Sequence, residues 1–141
     1  MGVADNKAMV TTLLDAMRTG TIMTCRHLVT DDMVTRIPAS CEPVLGNPVE
    51  VQGAEACLKG KASIRSNAFA SEMKLTIKAL LGDGDWVAAF LEMSSVSFTG
   101  EPYANEYVFL FRFRGDRIAE WDAYMDTAHV FQQFGFKISK A

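Results

Sequence analysis

Hydrophobic and polar positions divide this chain of 141 residues into two parts with different periods. In the first part Met9, Val10, Leu13, Leu14 and Met17 recur at the spacing of a helix that buries one face. Asp5 is placed to cap the start of that helix, and Gly20 to end it in the left-handed conformation. Thr21 to Leu28 reads as a short second helix with Ile22, Cys25 and Leu28 inward. Asp31-Asp32 then predicts a turn into a brief strand, Met33 to Ile37, which Pro38 stops. Pro38, Pro43 and Pro48, with Gly46 and Asn47, make residues 38–52 an irregular loop suited to rim or cover a pocket. A third helix follows, roughly Ala54 to Ala68, weakened by Gly60, with Lys59, Lys61 and Arg65 read as a solvated face.

Beyond residue 70 the period falls to two. Met73, Leu75 and Ile77 alternate with Lys74, Thr76 and Lys78, the pattern of a strand with one wet face. Gly82-Asp83-Gly84, Thr99-Gly100-Glu101-Pro102 and Gly115-Asp116 turn the chain into the strands Trp86–Phe98, Tyr103–Phe113 and Ile118–Met125. A closing helical segment, Thr127 to Phe134, ends at Gly135. Strands joined by such short connections pair antiparallel. Helices gathered ahead of an antiparallel sheet predict an α+β fold, a curved sheet wrapped around the N-terminal helices as a cone with an apolar pocket. One domain over residues 1–141 is expected.

Composition narrows the function. Hydrophobic residues make up 49% and charged ones 22%, which excludes a disordered or fibrous chain. The net charge of −3 argues against a phosphate-backbone partner, so no nucleic acid is expected. Apolar runs such as Trp86 to Leu91 are far shorter than the ~20 residues of a membrane span. The opening MGVADNK lacks the basic start and apolar centre of a secretory signal, so a cytoplasmic chain away from membranes is expected. Cys25, Cys41 and Cys57 read as buried, reduced thiols. Eight methionines and nine phenylalanines suggest a deformable apolar interior that can hold a hydrophobic small molecule.

The stretch YANEYVFLFRFRGDRIAEWDAYMDTAHVFQQF, Tyr103 to Phe134, resembles the SnoaL-like polyketide cyclases and the steroid-isomerase-like members of the nuclear-transport-factor-type superfamily. The shared features are the Asn-x-Tyr strand, the Phe-x-Phe run, the Gly-Asp turn and the Ile-x-x-Trp-x-x-Tyr-x-Asp-Thr segment. The resemblance implies a cystatin-like α+β cone, a deep apolar pocket and a homodimer formed through the sheet. It also implies cofactor-free isomerase, cyclase or dehydratase chemistry on a polyketide-, terpenoid- or steroid-like molecule, although the superfamily also holds non-catalytic binding modules. Its usual catalytic positions fall here on Leu13, Phe109, Arg36 or Ile37, Leu91, Met93 and Ala123, so neither the steroid-isomerase nor the epoxide-hydrolase set is intact.

Strand alternation identifies other candidates. If Phe109 and Ala123 face inward, so do Asn105, Tyr107, Phe111, Trp121 and Met125. Tyr107 and Asn105 are then oxyanion donors to a substrate carbonyl, or else an amphipathic core residue and a turn residue. Arg36 pointing into an apolar cone needs an anion, so it is either a substrate clamp or a rim residue paired to Asp122 or Glu120. Asp126 matches the acid of fungal terpenoid-cyclising relatives, with a pKa raised by burial near Trp121 and Met125; the same position suits a helix cap. Trp121, Phe109, Phe111, Met93, Met125, Leu13 and Ala123 would form the substrate wall. His27 and His129 stand apart and no Cys-x-x-Cys occurs, so neither a metal nor a cofactor is expected.

Overall fold

The computed structural model describes residues 2–70 and 72–141. Helix α1 runs Val3–Thr19 and buries Val10, Leu13, Leu14 and Met17 on the predicted face. Gly2 is its N-cap, and Asp5 acts from the third helical position by accepting from the Gly2 N–H at 3.1 Å. Gly20 ends the helix at φ 79°, a conformation that glycine adopts without a Cβ penalty. A 3-10 segment, Ile22–Leu28, buries Ile22 and Cys25 and leads into strand β1, Val29–Arg36.

β1 begins four residues before the sequence pattern suggests. Asp31 and Asp32 make no turn; they lie where the pairing of β1 shifts register, between Val29 and Val34. The irregularity leaves both carboxylates in solvent, where Asp31 meets Arg26 and Asp32 meets Arg114. The proline-rich loop also holds structure that its breakers obscure: helix α2, Cys41–Leu45, and strand β2, Glu50–Gln52. Helix α3, Ala54–Ala68, matches its predicted range.

Four long strands follow: β3, Lys74–Asp83; β4, Trp86–Val96; β5, Pro102–Arg114; and β6, Arg117–Met125. Helix α4, Thr127–Gln133, closes the chain. The sheet order is β2-β1-β6-β5-β4-β3, curved and unclosed, with every pair antiparallel except β1 on β6. That parallel pair is possible because helices α2 and α3 and four strands separate its members in sequence.

Helices α1 and α3 cover the inner face. The thiol of Cys57 on α3 donates to the carbonyls of Met33 at 3.4 Å and Val51 at 3.2 Å, which holds the helix on β1 and β2. Leu13, Leu91, Phe111, Phe113 and Trp121 are fully or almost fully buried between the layers. Each such side chain contributes roughly 1.5–3 kcal/mol relative to staying exposed. Cys25, Cys41 and Cys57 are free and buried, as expected. Among the described residues, no helix is long and apolar enough to cross a membrane.

Candidate functional site

β5 alternates without a break along its inner side, so Tyr103, Asn105, Tyr107, Phe109, Phe111 and Phe113 are all buried there. Register sets Met93 opposite Asn105 and Leu91 opposite Tyr107 on one side. On the other side Met125 lies opposite Tyr107, Ala123 opposite Phe109 and Trp121 opposite Phe111. The expected wall residues therefore do share one surface. Their rings close on one another where a hollow was expected: Trp121 lies 5.3 Å from Phe109 and 5.1 Å from Phe111, centroid to centroid. This end of the row is packed, with Leu13 of α1 fully buried in the same core.

The tyrosine end differs. Tyr103 and Tyr107 sit four residues apart on the same side of β5, and their hydroxyls hydrogen-bond to each other. Phe69, at the end of α3, lies 5.0 Å from the Tyr103 ring, and Phe134, after α4, lies 5.8 Å from it. Burial pushes both phenols above their ordinary pKa, Tyr107 strongly, so both stay protonated at neutral pH. The Asn105 amide acts on Tyr103 in the opposite sense, lowering its pKa as a donor would, and Cys41 of the proline-rich loop is close enough to affect both rings. Asn105 also donates to the Asp126 backbone carbonyl at 3.1 Å, which ties the end of β6 to the middle of β5. Tyr103 was missed because it sits next to a predicted turn, although its parity with Tyr107 places it inward.

Asp126 caps α4: its carboxylate accepts from the His129 backbone N–H at 3.1 Å, and the side chain is exposed. It therefore does not lie in the desolvated place beside Trp121 that the sequence suggested. It lines a concavity of about 520 Å³ together with Lys74, Glu92, Asn105, Glu106 and His129. Most of that lining comes from outward positions of β3, β4 and β5, so this hollow opens on the outer side of the sheet. α4 also covers the free margin of β5, with Gln133 bonding the Pro102 carbonyl and the Ala104 N–H, and His129 the Ala104 carbonyl.

Arg36 is no inward clamp. The β1 side chains that face the core are Met33 and Thr35, and Arg36 points to the outer face. There it meets Asp122 at 3.1 Å, Glu120 at 3.2 Å and Glu50 at 3.6 Å, which is the rim alternative with one more partner. The Asp122 hydrogen bond raises its pKa. Burial alone would raise the Glu120 carboxyl, but hydrogen bonds from Arg112 and Arg36 prevail and hold it below its ordinary pKa.

The cation that does turn inward is Lys61. Ala54, Cys57 and Leu58 define the buried face of α3, and Lys61 continues it one turn on. Its ammonium lies 4.5 Å from the centre of the Trp121 ring. Desolvation lowers its pKa from 10.5 to about 8, against weaker opposing pulls from Cys57 and Asp122. Among the described residues no carboxylate comes within ion-pair distance of it. The helical phase counted from Cys57 and Leu58 carries this signal, but the neighbouring Lys59 and Arg65 disguise it as part of a wet face.

A curved, unclosed sheet wrapped on N-terminal helices, with aromatic and phenolic side chains along its inner face, defines an α+β cone of the nuclear-transport-factor-2-like class. Residues 10–121 match the SnoaL-like domain family, and the chain belongs to it. Solved structures agree on the fold. An NTF2-like protein of unknown function from Burkholderia pseudomallei superposes with a TM-score of 0.81 at 17% identity, over 94% of this chain and 97% of the other. A candidate isomerase from Bacillus subtilis gives 0.81 at 18% identity, over 99% and 100%. A candidate SnoaL-like polyketide cyclase from a Jannaschia species gives 0.77 at 16%, over 92% and 90%. No curated protein matches the sequence.

Proposed function

We propose that this SnoaL-like chain is a cofactor-independent acid–base enzyme, an isomerase, cyclase or dehydratase, acting on a hydrophobic polyketide-, terpenoid- or steroid-like molecule. The observation that carries the reading is the buried pair of phenols, Tyr103 and Tyr107. One hydroxyl donates to the other, so the second keeps a proton with no acceptor among the described residues. Whichever phenol donates, the pair presents one O–H that is free of an acceptor among the described residues. That O–H is suited to a substrate carbonyl, whose oxygen gains charge as a proton leaves the adjacent carbon. A placed donor of this kind is worth on the order of 10²–10³ in rate. Asp126, whose backbone carbonyl accepts from Asn105, is the proposed proton carrier. The chain is proposed to work as a homodimer through the outer sheet face, where Phe90, Val108 and Tyr124 form one row with Val108 40% and Tyr124 55% exposed.

The test follows deuterium exchange at the acidic C–H positions of 2-tetralone, a hydrophobic ketone, by NMR. Wild-type protein should speed exchange, and Tyr107→Phe should cut the gain about 10²-fold. Asp126→Asn keeps the cap and should lose about 10²–10³-fold. Full exchange in Asp126→Asn removes Asp126 from the reaction, and full exchange in a Tyr103→Phe/Tyr107→Phe protein removes the reading. A second reading, a non-catalytic small-molecule carrier, is favoured by the ring-to-ring packing around Trp121 and by the apolar residues Leu13, Phe109 and Ala123 at the family's catalytic positions. Tight 2-tetralone binding without exchange decides for it. A Val108→Glu protein that keeps the wild-type mass in light scattering rules out the proposed dimer face.

A further inference from the structure

We infer that Lys61 and Trp121 form an anion subsite on the inner face of the sheet, and that it selects hydrophobic ligands carrying a carboxylate. Two donors meet there without acceptors. The ammonium of Lys61 stands over the Trp121 ring at 4.5 Å and has no carboxylate partner among the described residues. Beneath it the Trp121 indole N–H is fully buried and reaches no acceptor. A buried N–H left unpaired costs on the order of 1–3 kcal/mol, and an unpaired ammonium costs more. The fold therefore holds two unpaired donors at one ring, and an oxyanion at the ring edge, with the lysine stem turned to it, would accept from both.

The surroundings specify the rest of the ligand. Phe109 and Phe111 pack against the same indole, so the body that carries the anion meets an apolar, aromatic surface there. Lys61 is partly rather than wholly buried, so its flexible stem can swing to meet an anion at the edge of the Trp121 ring. The lowered pKa agrees with a cation that lacks its counter-ion. Cys57 offers no substitute, because its thiol is already committed to the Met33 and Val51 carbonyls. Asp122 is committed to Arg36 on the opposite face. The phenol pair lies two ring contacts away, through Phe109 and Tyr107. A hydrophobic keto acid, with the carboxylate at Lys61 and the carbonyl at the phenols, would engage both stations.

The inference rests on the inner sheet face being the ligand side, as in the function proposed above, but binding tests it without any turnover. The probes are 2-naphthoate and the neutral, near-isosteric 2-naphthamide. Binding is read by calorimetry and by Trp121 emission in a Trp86→Phe background, which removes the other of the two tryptophans. Wild-type protein should prefer naphthoate about tenfold or more, the ratio that one uncompensated charge contact gives. Lys61→Met should erase that preference while naphthamide affinity stays within about twofold, and Lys61→Arg should keep most of it. Lys61→Gln serves as a second neutral variant, and a melting curve checks each fold. Equal affinity for the two probes in wild type, a preference surviving in both neutral variants, or no binding of either probe overturns the inference. Full tetralone exchange in a Tyr103→Phe/Tyr107→Phe protein with naphthoate preference intact would count against the phenol chemistry and leave this subsite standing. The reverse pattern would do the opposite.

Discussion

Arg36 and Lys61 are cations of one small fold placed in opposite circumstances. Arg36 stands on the outer face among three carboxylates at 3.1–3.6 Å. Lys61 stands on the inner face above an aromatic ring and has none among the described residues. The same physics acts on both and moves them apart: the Asp122 hydrogen bond raises the Arg36 pKa, while desolvation lowers that of Lys61 to about 8. A cation whose partners come from neighbouring strands belongs to the scaffold, since it joins β1 to β2 and β6. A cation whose desolvation is left uncompensated is poised to receive something. The contrast separates structural charge from functional charge without reference to any relative.

The platform beneath Lys61 gives the largest expected effect. Trp121→Ala opens a cavity among Phe109, Phe111 and the helices, and should cost about 3–5 kcal/mol in urea unfolding. Trp121→Phe keeps most of the ring and deletes the N–H that has no acceptor, so its loss should be much smaller, near 1 kcal/mol. Equal losses in the two variants would show that the indole N–H is satisfied after all, and the contrast between the two cations would lose half of its support.

Next comes the titration of Lys61. The unfolded chain holds this proton up to about pH 10.5 and the folded chain only to about 8. Between those values the unfolded state binds more protons, so stability rises with pH through that window and is lowest below pH 8. With allowance for the side chain's partial exposure, the effect is on the order of 2 kcal/mol. The raised thiols of Cys25 and Cys41 act in the opposite direction once pH passes their ordinary value of 9.0, so the clean interval is narrow. Subtracting a Lys61→Met series measured alongside isolates the lysine. That variant should also melt higher at neutral pH, because an apolar side chain replaces an uncompensated charge. Parallel stability curves for the two proteins from pH 7.5 to 9 would mean that Lys61 is solvated.

These two cations also show what the sequence could convey. Period-two alternation placed β5 and β6 well enough to bring Tyr107, Asn105, Phe109, Phe111, Trp121 and Ala123 onto one surface, because long regular strands keep their parity. β1 is short and irregular, with its register on β6 shifted between Val29 and Val34. Counting along it from Asp31-Asp32 put Arg36 on the wrong side, since one slipped residue exchanges the two faces of a strand. Lys61 was legible from the phase of Ala54, Cys57 and Leu58, but residue type was allowed to outweigh position. α2 and β2 were hidden by three prolines, and the ring-to-ring closure around Trp121 depends on rotamers that no pattern encodes. The Asp126 cap was foreseen because the local sequence alone determines it.

Arg36→Met should have a smaller effect than the lysine titration. It leaves Glu50, Glu120 and Asp122 facing one another with only Arg112 to offset them. Because Arg36 is 37% exposed, water and salt screen much of the repulsion, and a loss of about 1–2 kcal/mol is expected. The loss should shrink as pH falls through the carboxylate range and the uncompensated groups take up protons. Naphthoate affinity should not change. A variant that folds well but binds naphthoate ten times more weakly would return Arg36 to the role of clamp and cancel the contrast with Lys61.

The smallest effect tests whether Asp126 belongs with the scaffold or with the site, since it has a claim on each. Its carboxylate holds the His129 N–H at the start of α4, and that short helix covers the margin of β5 through His129 and Gln133. Asp126→Ala should cost about 1 kcal/mol, the ordinary worth of such a cap, and Asp126→Asn almost nothing. Amide hydrogen exchange at Ala104 is the local reporter, because its N–H is held by Gln133 and opens when α4 frays. If the scaffold role is the whole role, tetralone exchange should follow Ala104 protection across the two variants and survive in Asp126→Asn. If the carboxylate also moves a proton, Asp126→Asn should keep the protection and still lose turnover, because an amide can cap a helix but cannot accept the proton.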